Sequence, residues 1–325
     1  MPLSAGLQQK LAASHFTTST PVQAAAIPHA LAGKDVLATA QTGTGKTLAF
    51  LVPAIEKLLQ SPGRGAQILV LVPTRELAMQ VHEQYEHLHL KKLKPAALVI
   101  GGVNERRQIQ SLRSGATLVV ATPGRLEDFL KRKLADLREV KMLILDEADR
   151  MLDMGFLPAL RRIVAALPRQ RQTLCFSATL EASVAGLVND YMREPVRVAL
   201  GSTSKPAESV ELQAFEVGEA GKGEVLRKLL YEEKGQTLVF ARTKRRTERL
   251  AKDLMRDGFA AAMIHGDRSQ SQRVGALTGF EEGRFKILVA TDVASRGIHV
   301  DNVAHVINYD LPQIPEDFIH RVGRT

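Results

Sequence analysis

Tryptophan is absent from the 325 residues, cysteine occurs once, and aromatic residues make up only 5%. The single cysteine, Cys175, excludes an internal disulfide and fits a reducing compartment. No apolar run approaches the ~18 residues that a membrane-crossing helix needs. No basic segment followed by an apolar stretch opens the chain, so no secretory leader is expected. Low-complexity tracts and short-period repeats are missing as well. These absences point to a globular, cytoplasmic protein without a membrane partner.

What is present fits that class. The chain is 45% apolar and 24% charged, as in ordinary soluble domains. Its length exceeds what one compact core usually organises, so two domains are expected. The formal charge is +9, and it is uneven: residues 205–325 hold 19 Lys and Arg against 18 Asp and Glu, and the remainder holds 25 against 17. A basic balance suits a polyanionic partner. Charge alone leaves a solvated, lysine-rich surface equally open.

Short apolar runs recur along the chain, at 68–72, 98–100, 118–120, 142–145 and 173–176, and again at 237–240, 262–264, 287–290 and 304–307. Stretches of helical period lie between them, at 77–88, 126–134, 157–167 and 248–255. Buried strands alternating with helices predict an α/β fold with parallel sheets. The polar segment 201–206, with Gly201 and Pro206, is the expected linker. The expected domains are therefore 1–204 and 205–325. Unusual polar segments cluster just beyond the apolar runs, at 73–77, 101–102, 122–125, 146–149 and 177–179. In open α/β sheets, ligands bind outside the carboxyl ends of the strands, so five such segments predict one functional surface.

The strongest motif is the run 40–47, between an apolar strand expected at 35–38 and a helix expected at 48–52. Gly43 and Gly45 permit backbone angles closed to residues with a Cβ, so the N–H groups around Thr44 can turn inward on phosphate oxygens. Lys46 then reaches the β- and γ-phosphates, and the Thr47 hydroxyl is a ligand for Mg²⁺. The following helix adds its partial positive charge. Ala40 stands where the common pattern has glycine. Further along, Asp146 and Glu147 supply carboxylates for a metal ion and a water. Together the two motifs imply binding of a nucleoside triphosphate with Mg²⁺, and its hydrolysis.

Taken in order, these motifs resemble those of the DEAD-box RNA helicases of superfamily two, and look most like the bacterial RhlE type. The resemblance runs over almost the whole chain. It implies two RecA-like domains, ATP and Mg²⁺ as cofactors, RNA as partner, and local strand separation coupled to ATP hydrolysis. Protein partners are not indicated. The segment 16–23 resembles the family's adenine motif, with Phe16 at its start, Thr20 near the phosphate loop and Gln23 on the adenine edge. A side-chain amide suits that edge because it carries donor and acceptor together. His15 and Ser19 stand where the family often has Gly and Pro. The family's upstream stacking aromatic would precede Met1. Asp146 would hold Mg²⁺ through water, and Glu147 would orient or deprotonate the attacking water. Asp149 would pair with Ser177 or Thr179 and couple the metal centre to the rest of the site.

By the same resemblance, Thr74, Arg75, Gly101, Gly102, Thr122 and Arg125 would meet the RNA backbone from the first domain. Arg242, Arg268, Arg273 and Thr291 would do so from the second, in the segments 240–244, 265–273 and 290–298. Arg245 and Arg246 read equally well as solvated helix surface. With 5% aromatics and no tryptophan, backbone contact is a better grip than base stacking. His299 stands where the family usually has an acid, and Asp301 lies two places on. The segment 320–325 resembles the arginine-finger motif: Arg321 and Arg324 are the candidates, Arg324 the better placed for the γ-phosphate. The family's next arginine would fall beyond Thr325, as would a closing strand and helix. The second domain is therefore expected to be incomplete.

Overall fold

The computed structural model describes residues 3–40, 44–61, 63, 65–179, 182–199, 210–232, 234–292, 303–312, 318 and 321–322. The chain divides into two compact units, Met1–Thr203 and Ser204–Thr325.

In the first unit seven strands form one sheet: β1 (Val36–Thr39), β2 (Ile68–Leu71), β3 (Ala97–Val99), β4 (Leu118–Ala121), β5 (Met142–Leu145), β6 (Gln172–Ser177) and β7 (Val196–Ala199). Their order is β3-β4-β2-β5-β6-β1-β7, with every pairing parallel. Successive side chains of a strand point to opposite faces, and here both faces are covered. Val70, Val120, Ile144 and Phe176 join the core beneath α1 (Ala5–Ala13), α2 (Pro21–Leu31), α3 (Lys46–Gln60) and α4 (Arg75–Leu88). Leu69, Val119, Leu143 and Cys175 join the core beneath α5 (Glu105–Arg113), α6 (Pro123–Lys131), α7 (Ala148–Asp153), α8 (Leu157–Ala165) and α9 (Ala182–Tyr191). That double cover is why these strands read as unbroken apolar runs.

The second unit has α10 (Lys222–Glu232), β8 (Gln236–Phe240), α11 (Lys244–Arg256), β9 (Ala261–Ile264), α12 (Gln270–Glu281), β10 (Ile287–Ala290) and β11 (Val303–Asn308). Its described strands run β11-β8-β10-β9, all parallel. Alternate strand residues again feed two cores, Leu238 and Leu288 on one face, Val239 and Val289 on the other.

Several boundaries differ from the sequence reading, each for a local reason. The helix expected over 126–134 stops at Lys131, because Lys133 turns to φ 55° and the Leu134 N–H returns to the Phe129 carbonyl at 2.8 Å. The helix expected from 248 starts at Lys244, where Thr243 caps it by accepting the Arg246 N–H. The edge strand β7 escaped notice because its exposed Arg197 breaks the apolar run. The expected linker at 201–206 lies outside the described residues. Among the described residues no helix is long and apolar enough to cross a membrane.

Candidate functional site

Sheet order sorts the strand-end segments into two groups. The phosphate loop follows β1, Asp146 follows β5, and the segment 177–179 starts at the last residue of β6; these strands are neighbours in the order β5-β6-β1. The segments 73–77, 101–102 and 122–125 follow β2, β3 and β4, which are neighbours in the other half. One sheet edge thus carries a nucleotide-type half and an adjoining half of threonines, arginines and glycines.

In the first half, Gly45 caps α3 at φ 86°, a conformation that L-residues avoid. A Cβ there would fall 2.5 Å from Gln23 Nε2 and 3.1 Å from Thr20 Oγ1. The glycine therefore lets α2 close on the loop. The Thr20 hydroxyl donates to the Thr44 carbonyl at 2.7 Å, and Gln23 Nε2 donates to the Gly45 carbonyl at 3.0 Å. Lys46 is buried, with Nζ donating to the Ala40 carbonyl at 3.0 Å, and Thr47 is half-buried in the first turn of α3. Gly43 lies outside the described residues. Phe16 stands 43% exposed, just after His15 at φ 61°. That left-handed backbone is the physical reason a glycine would suit position 15.

The acidic segment begins where β5 ends. Burial pushes Asp146 up to about 7; the nearby Lys46 works against that shift, and Glu147 adds to it. Asp146 Oδ1 accepts the Glu147 N–H at 3.0 Å. Glu147, left-handed at φ 51°, caps α7, and its Oε2 accepts from Arg150 Nη1 at 3.0 Å. Asp149 reaches across to the end of β6. Its Oδ2 accepts the N–H groups of Ala178 and Thr179, both at 2.9 Å, and the Thr179 hydroxyl at 3.2 Å. Ser177 is fully buried, and its hydroxyl has no hydrogen-bond partner among the described residues. Of the two partners expected for Asp149, the geometry therefore supplies Thr179. Asp146 and Thr47 offer only oxygen donors, a set that fits a hard cation completing its shell with phosphate and water. A cation beside Asp146 would also offset the burial that now disfavours its carboxylate.

In the other half, Arg75 lies against Gly101 and Gly102. A Cβ on Gly101 would fall 3.0 Å from Arg75 Nη2, and one on Gly102 (φ 77°) would collide with Nη1. These glycines seat a guanidinium. Thr74 and Thr122 are buried N-caps of α4 and α6, so both helix starts face the same edge, as anion sites require. Arg125 is already engaged, 2.8 Å from Glu105 and 3.2 Å from Asp128, with its guanidinium over the Phe129 ring. Arg132 also binds Glu105, and its hydrogen bond, more than the Arg125 charge, holds that carboxyl below its usual range.

In the second unit Arg242 is exposed beyond β8, and its N–H donates to Asp310 Oδ2 at 3.0 Å. Asp310 also receives Lys222 at 3.1 Å and Arg246 at 3.1 Å. It was missed in the sequence, although it too follows a strand. Arg268 and Arg273 are half-buried at the start of α12 and in its first turn, and Thr291 is buried at the end of β10. Buried His265, between them and β9, has no hydrogen-bond partner at either ring nitrogen among the described residues, and burial lowers its pKa. Arg321 is buried and held from several sides: Nε and Nη2 bind the Asp292 carboxylate at 2.5 and 2.7 Å, and Nη1 meets Asn308 and the Asp310 carbonyl at 2.7 Å each. Its guanidinium also lies over the Phe240 ring, 4.8 Å from the centroid. This geometry is that of a structural anchor rather than of an arginine free to reach a phosphate. Arg324, His299 and Asp301 lie outside the described residues.

The comparisons agree with this arrangement. Residues 20–187 match the model of the DEAD/DEAH box helicase family, and residues 221–325 match that of the helicase conserved C-terminal domain. The chain is 43% identical over 323 residues to the DEAD-box ATP-dependent RNA helicase CshA of Streptococcus pneumoniae, covering 99% of this chain but 62% of that protein. It is 43% identical over 320 residues to the probable ATP-dependent RNA helicase DDX17 of Homo sapiens, covering 96% of this chain and 44% of that protein. The solved structure of S. cerevisiae Dbp5 bound to RNA and ADP BeF3 matches with a TM-score of 0.88 and 30% identity, over 99% of this chain and 84% of that one. Both units are RecA-like, with parallel sheets flanked by helices. From the first-unit match alone, which spans more than half its residues, this chain belongs to the DEAD/DEAH box helicase family.

Proposed function

We propose that this chain forms the core of an ATP-dependent RNA helicase that grips RNA by its backbone and opens short duplexes as it hydrolyses ATP. The observation that carries the reading is the Asp149 carboxylate, which ties the acidic segment after β5 to Thr179 after β6, beside the phosphate loop after β1. The relatives support it by name, since CshA is named a DEAD-box ATP-dependent RNA helicase and DDX17 a probable ATP-dependent RNA helicase, and Dbp5 was solved with RNA. The finer assignment to the RhlE type rests on the motifs of the sequence. So do the domain limits 1–204 and 205–325. A cytoplasmic location is supported by the single buried, unpaired Cys175.

In this reading Gln23 and Thr20 hold the adenine side, Gly43, Thr44, Gly45 and Lys46 the phosphates, and Phe16 borders the base. Asp146 and Thr47 would hold Mg²⁺, which when bound supplies charge neutralisation on the phosphates. Glu147 orients the attacking water and takes its proton. Arg324 stabilises the charge that develops on the γ-phosphate. Thr74, Arg75, Thr122 and Arg125 in one unit, and Arg242, Arg268, Arg273 and Thr291 in the other, meet RNA phosphates, with Gly101 and Gly102 giving Arg75 its place. Phosphate contacts position nucleic acid without reading its sequence.

The test is ATP turnover with and without single-stranded RNA, alongside strand displacement of a short duplex. RNA should raise the ATPase rate, and DNA of the same sequence should do so less. Lys46→Ala should weaken ATP binding, and Glu147→Gln should spare binding while slowing hydrolysis by about 10²-fold or more. Turnover indifferent to RNA would instead favour a passive RNA clamp.

A further inference from the structure

The buried Arg150 has no part in the roles assigned above, yet it makes the ion pair that holds Glu147. Glu147 stands at φ 51° and ψ 52°, a backbone that L-residues adopt only where the surroundings over-determine it. Its N–H is taken by Asp146 Oδ1, and its carbonyl accepts the Met151 N–H at 3.1 Å. Those bonds fix the backbone and leave the carboxylate to be aimed. Arg150, one helical turn on and on the same face of α7, donates Nη1 to Glu147 Oε2 at 3.0 Å, with the two side chains only 6% and 7% exposed.

A carboxylate at that depth needs a partner, since an uncompensated buried charge turns towards water or rearranges. The planar guanidinium fixes one carboxylate oxygen in direction as well as distance. The contacts expected to grip the nucleotide, Thr20 to Thr44, Gln23 to Gly45 and Lys46 in its loop, do not involve Arg150. We propose that Arg150 is a positioning residue for hydrolysis, aiming the Glu147 carboxylate at the attacking water without contributing to ATP binding. The inference rests on the reading of Glu147 given above.

The test measures kcat and KM for ATP by RNA-stimulated hydrolysis of labelled ATP, with poly(U) as the RNA, on the 325-residue chain. The variants are Arg150→Met, Arg150→Lys, Glu147→Gln and the double variant Glu147→Gln/Arg150→Met. Arg150→Met should lower kcat about tenfold or more, as misaimed catalytic groups do, with KM for ATP unchanged. Arg150→Lys should recover part of the loss. In the Glu147→Gln background Arg150→Met should cause no further loss, because both changes remove the same contribution. A kcat for Arg150→Met within twofold of the parent overturns the proposal. So does a loss of equal size in the Glu147→Gln background, or a joint fall in melting midpoint, kcat and ATP affinity that lysine does not restore. If Glu147→Gln alone turned over normally, the reading of Glu147 would fall and this proposal with it; a slow Glu147→Gln beside a normal Arg150→Met removes only the proposal.

Discussion

Gln23 donates its side-chain amide to the Gly45 carbonyl at 3.0 Å, and its amide oxygen accepts the Thr20 N–H at 3.0 Å. The residue assigned to adenine is therefore also the strut between the start of α2 and the last glycine of the phosphate loop. Both ends of the amide are engaged within the chain, so an incoming base must share or replace these bonds. If Gln23 reads the base as proposed, base recognition is linked through one side chain to Gly45 at the start of α3.

Gln23→Ala should accordingly have two effects. It should erase a preference for ATP over GTP, because the paired bonds to one base edge are gone. It should also destabilise the nucleotide-free chain by about 1–2 kcal/mol, since two backbone groups lose their partner. Nucleotide competition and calorimetric melting read the two separately. Undiminished ATP selectivity would remove Gln23 from adenine recognition.

Asp146 gives a pH dependence of definite sign. Burial raises its pKa from 3.8 to about 7, so the folded chain keeps a proton that the unfolded chain has already released. Between about pH 4 and 7 the unfolded state binds fewer protons, and stability contributed by this group falls as pH rises. Asp146→Asn should therefore raise the melting midpoint of the nucleotide-free chain at pH 8 and leave it nearly unchanged at pH 4. A midpoint unchanged at pH 8 would mean that the buried carboxylate ionises without penalty.

The end of β6 predicts a contrast between neighbours. Among the described residues the Ser177 hydroxyl has no partner, whereas Asp149 accepts three hydrogen bonds from Ala178 and Thr179. Ser177→Ala should leave stability unchanged or raise it, because it removes a buried hydroxyl that lacks a partner. Asp149→Ala, which strands the backbone donors of Arg150, Ala178 and Thr179, should cost about 3 kcal/mol. Denaturant unfolding followed by circular dichroism compares them; equal costs would contradict the geometry.

Arg321 should behave as part of the second core. It is 2% exposed and bound to Asp292, Asn308 and the Asp310 carbonyl. Removing one member of a buried ion pair costs about 3–5 kcal/mol, so Arg321→Ala should unfold the second unit at markedly lower denaturant. An unshifted unfolding midpoint combined with lost turnover would return Arg321 to the role of arginine finger.

Glu105 competes with any phosphate for Arg125, which it meets at 2.8 Å. Glu105→Gln should tighten RNA binding at low salt, alike for all sequences. Arg125→Ala should weaken it and flatten the salt slope by about one unit. Fluorescence anisotropy across a salt series reads both slopes, and a sequence-dependent response would reveal base contacts.

Much of the design was legible in the chain itself. Strands buried on both faces must be apolar throughout, so runs such as 142–145 named themselves, and polar segments directly after them marked the candidate site. The phosphate loop was legible because its chemistry needs glycines and a Lys-Thr pair at fixed spacing within one segment. Edge strand β7, helix starts set by caps such as Thr243, and the stop at Lys133 were not legible. They depend on single hydrogen bonds or on one backbone angle.

Sequence by itself determined the candidates for binding phosphate, metal and RNA, because those chemistries are local and call for particular residue types at particular offsets. Only the tertiary structure decided how they are shared out. Chain order interleaves the segments after β1 to β6, while the sheet order β3-β4-β2-β5-β6-β1-β7 gathers them into two halves of one edge. Arg75 beside Gly101 and Gly102, Arg321 within Asp292, Asn308 and Asp310, and Thr179 rather than Ser177 against Asp149 are contacts between residues far apart in the chain. Such pairs are set by parallel strand order and by the burial of charge, and no local pattern encodes either.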